Sequence, residues 1–133
     1  MVRHTRSFTL RGDAPRVEVC DAPAHARTLL RELLCGCADA VVDDALLLVD
    51  ELLTDVVRAP AVLRAVRLAR EDSGAAHLSV EVDYFDHPVL APGRPSGDVF
   101  VGRCLLERLA ASWGVRCSGA HRTVWARFPL DRG

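Results

Sequence analysis

Three side chains between positions 51 and 58 have the types and the spacing to do chemistry. Glu51, Asp55 and Arg58 recur at i, i+4 and i+7, so on a helix they share one stripe. Two carboxylates a turn apart, with a guanidinium beyond them, could present a divalent cation and a phosphate to a pocket, because hard cations take oxygen ligands. A solvated helix face with internal ion pairs has the same pattern, and periodicity alone favours that blander reading. Other candidates are thinner. His4, His25, His77, His87 and His121 show no metal-ligand spacing. No serine sits in a G-x-S-x-G elbow. The five cysteines are an odd set, and Cys35-Gly36-Cys37 is the one close pair, with no histidine beside it. They are expected to be thiols in a reducing compartment.

The stripe needs a helix to carry it. Leu48, Leu52 and Val56 form an apolar row beside it, so the helix is expected to start near Asp39 or the Asp43-Asp44 pair and to end by Pro60. A preceding helix is expected from about Ala24 to Leu34, with Asp21 as N-cap, Pro23 just inside, and Gly36 as the stop. Ser7 to Leu10 and Val17 to Val19 read as short extended pieces. Val62 to Arg70 and His77 to Phe85 read as a hairpin about Asp72-Ser73-Gly74, with Leu78, Val80 and Val82 on one face. The stretch from Asp86 to Gly97 is rich in Pro and Gly and reads as a loop. Val99 to Ala111 reads as a third helix. A strand then follows Trp113-Gly114-Val115, and Thr123 to Leu130 is the last, with Val124, Ala126 and Phe128 on one face. Strands segregated from helices in this way predict an α+β two-layer sandwich, a mixed and mostly antiparallel sheet packed on about three helices.

Composition bounds the rest. The 133 residues suggest a single domain spanning 1–133, and 50% hydrophobic content suits a packed core. Net charge is −1, which gives no basic field for nucleic acid. It leaves DNA binding through Arg64, Arg67 and Arg70 poorly supported. All 17 basic residues are Arg, so a Walker-type phosphate loop, which requires a lysine, is excluded. No apolar run approaches bilayer-spanning length and no leader-like segment is evident, so a cytoplasmic location away from membranes is expected.

Glu51-Leu52-Leu53-Thr54-Asp55-Val56-Val57-Arg58-Ala59-Pro60 resembles the N-box helix of the GHKL ATPase superfamily. The likeness is to small actinobacterial proteins similar to anti-sigma factor serine kinases, whose helix reads E-L-x-T-N-A-x-R-H-A. Arg122-Thr123-Val124-Trp125, with Trp113-Gly114 upstream, is similar to that family's last strand, which carries a K-T-V-W-like pattern. The resemblance runs from about Ala24 to Leu130 and implies a Bergerat-like sandwich. It implies that Glu51 polarises the hydroxyl that attacks the γ-phosphate. It puts Asp55 where the family's asparagine holds Mg²⁺, with Arg58 also at the nucleotide. Gly102 would approach phosphate, although Phe100 stands where the first glycine of that loop belongs. Thr123 would share a water with an acid that reads adenine. Tyr84 or Phe85 falls on the acid's position, depending on the anchor, and Asp83 and Asp86 flank it. Asp86 is the first choice if a bulge brings it into register.

Two functions follow from the resemblance. One is a regulatory protein that binds ATP and Mg²⁺ and acts on a sigma factor or an anti-anti-sigma factor as a serine-protein kinase. The other, from a different class, is a degenerate relative that keeps the sandwich, has lost catalysis, and binds only protein, itself as a homodimer included. Alteration of three of the four boxes favours the loss of catalysis.

Overall fold

The computed structural model describes residues 3–58, 61–72, 74–86 and 103–130; of these, the side chains of Arg58, Asp86, Arg103 and Cys104 are outside the description. The elements run β1 (Arg3–Thr9), α1 (Arg16–Cys20), α2 (Ala22–Leu33), α3 (Asp39–Arg58), β2 (Ala61–Glu71), β3 (His77–Asp86), α4 (Arg103–Leu109), β4 (Ser112–Ser118) and β5 (His121–Pro129). The five strands form one sheet in the order β1-β2-β3-β5-β4. Each of its four pairings is antiparallel. With the helices on one side, this is the expected α+β two-layer sandwich.

The core follows from two periodicities. On α3, Val41, Ala45, Leu48, Val49, Leu52, Leu53 and Val56 recur every three or four residues and are at most 5% exposed. On the sheet, alternate residues face them: Val66 and Leu68 on β2, Leu78, Val80, Val82 and Tyr84 on β3, and Val124, Ala126 and Phe128 on β5. The intervening residues, among them Arg67, Glu81, Asp83, Thr123 and Trp125, therefore lie on the opposite face, which none of the described helices covers. Ala26, Leu30, Leu33 and Leu34 close the core from α2 and the residue after it. Among the described residues no helix is long and apolar enough to cross a membrane.

Three local expectations change. Val17 to Val19 are helical rather than extended: Val19 and Asp21 donate backbone N–H bonds to the carbonyls of Pro15 and Val17. One short turn satisfies those groups locally, whereas an isolated extended piece needs a partner strand. Asp21 occupies the N-cap position of α2, but its backbone is itself helical and its side chain makes no capping bond, because α1 runs directly into α2. The first strand reaches back to Arg3, since β2 offers it a ladder from Arg3↔Glu71 to Thr9↔Ala65. Its polar, arginine-bearing composition hid this strand in the sequence and is typical of a protected edge.

Turns are set by glycine where the chain requires φ > 0. Gly36 follows α2 with φ 93°, and Gly119 has φ 61° at the head of the β4–β5 hairpin. A bulge sits in β2 rather than β3: Leu63 and Ala65 face the consecutive residues Tyr84 and Asp83, and Arg64 is the extra residue. That displacement lets the Arg64 guanidinium reach the Leu10 carbonyl at 3.2 Å and lie 5.4 Å from the centre of the Phe85 ring.

Candidate functional site

The helix stripe forms as expected. α3 carries Glu51 and Asp55 a turn apart, both half-buried, beside the buried row of Leu48, Leu52 and Val56. Arg58 is the last residue of α3. Among the described residues no group of three or more His, Cys, Asp or Glu side chains is gathered to hold a metal. A magnesium ion held through Asp55 would therefore take most of its ligands from phosphate and water, as Mg²⁺ commonly does.

Asp83, the second choice for the adenine acid, and Thr123 come together, on the side of the sheet away from α3. Register pairs Asp83 with Thr123, and the Thr123 hydroxyl donates directly to the Asp83 carboxylate at 2.7 Å. Arg67 grips the same carboxylate with both terminal nitrogens, at 2.6 and 3.0 Å. This is the planar fork that guanidinium and carboxylate form best. The Arg67 Nε donates to Glu81 at 2.9 Å, and Arg116 on β4 donates to the second Glu81 oxygen at 2.5 Å. The result is a charge ladder across β2, β3, β4 and β5. His121 stands 4.0 Å from Asp83, and its ring lies 5.2 Å from that of Phe85.

These contacts set protonation. Burial pushes the Asp83 carboxyl up, but the Arg67 and Thr123 hydrogen bonds outweigh it and hold the carboxyl below its usual range. Arg116, against a burial penalty and with help from Arg67, lowers Glu81 in the same way. The Arg67 guanidinium is raised further, chiefly by its bond to Asp83. The Asp83 and Glu81 carboxylates and the Arg67 guanidinium are thus each held in the charged form.

Glu51 and Asp55 belong to the helix layer, whereas Asp83 and Thr123 face away from it, so the sheet separates the two pairs. On the helix-facing side, the residues at this level are Tyr84, buried at 4% exposure, and Val124, at 1%. Tyr84 is the position that the strand anchor assigns to the adenine acid. Asp86, the preferred acid, is the last residue of β3 with its backbone opposite Ala61, and its side chain lies outside the described residues. The Arg58 side chain, Phe100 and Gly102 lie outside them too. Of the two acids weighed, Asp83 alone has a described side chain, and with Thr123 it faces away from α3. Among the described residues Arg67, Glu81 and Arg116 join Asp83 in one network; the sequence offered Arg67 only as a DNA contact and missed Glu81 and Arg116, because nothing local reports cross-strand register.

The three arginines considered for DNA do not form a stripe. Arg64 is drawn to Leu10 and Phe85, and Arg67 to the ladder. Arg70 donates to the Leu33 and Cys35 carbonyls and to Asp72.

No protein-family model and no curated protein matches the chain. Among solved structures, the crystal structure of the RsbU and RsbW domains of Rv1364c from Mycobacterium tuberculosis is similar, with a TM-score of 0.66 at 15% identity. The match covers 98% of this chain and 33% of that one, so the chain spans about a third of that structure's length. A likeness at this identity shows a shared fold.

Proposed function

We propose that this chain is a regulatory protein that works by binding a protein partner, on a sandwich shared with anti-sigma factor kinases but without nucleotide chemistry. Two strands of argument meet here. The N-box-like helix and the Thr123-Val124-Trp125 strand resemble that family, and the fold is shared with a structure containing an RsbW domain. A sigma factor or an anti-anti-sigma factor is accordingly the partner class. The observation that supports the loss of chemistry is Thr123, which faces away from Glu51 and Asp55 and gives its hydroxyl to Asp83, itself held by Arg67.

Calorimetry with Mg·ATP tests the reading. Neither heat nor a thermal shift is expected at millimolar nucleotide, and a purified sigma factor is expected to bind equally well with and without Mg·ATP. Saturable heat that loses its Mg²⁺ dependence in Asp55→Ala would overturn the proposal and restore the kinase reading, with Glu51 as its catalytic residue.

A further inference from the structure

We infer that Cys35 and Cys37 form a reversible redox site, a dithiol that a hydroperoxide converts to a disulfide within the bend joining α2 to α3. Gly36 between them has φ 93°, a conformation that suits glycine. A Cβ there would meet nothing within 4 Å, so the bend and not crowding calls for the glycine. The Cys37 N–H donates to the Leu34 carbonyl at 3.0 Å and closes the bend around Cys35 and Gly36. Two residues apart, the Cα atoms stand at most about 7 Å from one another even in extended chain. A bend brings them closer, into the range that a disulfide spans. Arg70 on β2 braces this bend. Its guanidinium donates to the Leu33 carbonyl at 3.0 Å and the Cys35 carbonyl at 3.1 Å, while Asp72 holds its Nε at 2.9 Å. The same guanidinium interacts electrostatically with the Cys37 and Cys35 thiols, so both sulfurs lie around one charged group.

Access assigns the roles. Cys35 is exposed and borders an open hollow of about 320 Å³ shared with His4, Arg6 and Glu32, whereas Cys37 is half-buried against the core. The Cys35 sulfur attacks the peroxide, the O–O bond breaks, and the sulfur is oxidised to a sulfenic acid as the peroxide departs as water or an alcohol. The Cys37 sulfur then attacks the Cys35 sulfur. An S–S bond forms, and the sulfenic oxygen leaves as water with the Cys37 proton. Two electrons and two protons thus pass from the dithiol to the peroxide, and a thiol reductant returns them. A second sulfur held two residues away makes the closing step intramolecular, which favours it over a bond to another chain. Cys20 and Cys117 are exposed too, but neither has a second cysteine so near in sequence.

The inference is independent of the proposed function. It is tested on the full, folded chain by treatment with hydrogen peroxide, then alkylation with iodoacetamide in urea and peptide mass mapping. A bond between Cys35 and Cys37 is expected, read as the loss of two of the five alkylation sites, both regained after dithiothreitol. Cys37→Ser is expected to stop at the Cys35 sulfenic acid, trapped by dimedone, and Cys35→Ser to leave Cys37 open to alkylation. The parent's map decides the matter should either variant lose its fold. A map without the Cys35–Cys37 bond overturns the inference, as does a bond from either residue to Cys20, Cys104 or Cys117, or a covalent dimer joined through Cys35. Uptake of dimedone by Cys20 as fast as by Cys35 in Cys37→Ser also overturns it, because exposure alone would then select the thiol.

Discussion

Asp83 holds three hydrogen bonds on a side chain that is 13% exposed, and they tie three strands together. Because Arg67 is 43% exposed, screening trims the ionic share. Asp83→Asn is therefore expected to lower stability by about 1–2 kcal/mol at neutral pH in urea unfolding. The pH dependence has a definite sign. The folded carboxyl lies below its usual range, so the unfolded chain binds more protons as the pH drops through about 4. The stabilisation is complete above that value and is lost as pH falls towards the folded one. Asp83→Asn should accordingly flatten the acid side of the stability curve, and an unchanged acid limb would mean the ladder carries no net stability.

At the scale of elements, Gly114 shows how a motif residue can serve packing. It lies opposite Trp125 in the β4–β5 ladder. A Cβ there would stand 2.9 Å from the indole, closer than side chains approach, so the ring lies where only a glycine leaves room. Gly114→Ala is expected to displace the indole or the strand, shifting tryptophan emission and costing about 1–3 kcal/mol. The bridge between α2 and α3 makes a contrast. Arg27 meets Asp50 at 2.5 Å, but both side chains are well exposed, at 43% and 38%. A short distance in water contributes little, so Asp50→Asn should change the unfolding free energy by no more than about 0.5 kcal/mol. A larger loss would show that the two helices are held by charge and not by their shared apolar faces.

For the molecule as a whole, α3 contributes the largest apolar row to the single-layer helix cover. Leu52 lies at its centre, 1% exposed among Leu48, Leu53 and the inner face of the sheet. Leu52→Ala is expected to cost about 2–5 kcal/mol, read as a lower urea midpoint, with the range reflecting how far the cavity collapses. Since Glu51 and Asp55 ride on the same helix, this variant also checks whether any property assigned to the stripe is separable from folding. None of the described helices covers the opposite face of the sheet, where Arg67, Arg116, Glu81 and Asp83 pair with one another.

Much of this arrangement was legible in the residues. The alternation Leu78, Val80, Val82 and Val124, Ala126, Phe128 located two strands and their inward faces. The three-and-four spacing of Leu48, Leu52 and Val56 located the long helix. The same alternation already implied that Asp83 and Thr123 point outward, although the family pattern drew Thr123, with Asp86 or else Asp83, towards a nucleotide. What no local pattern could supply was pairing at a distance. Thr123 meets Asp83 across 40 positions and Arg67 meets it across 16, while the bulge at Arg64 sets which β2 residue each β3 residue faces. Periodicity acts within an element and settles which side chains share a face. Register depends on how separate strands are laid together, so only the folded chain decided that a threonine, an acid and an arginine would close on one another behind the sheet.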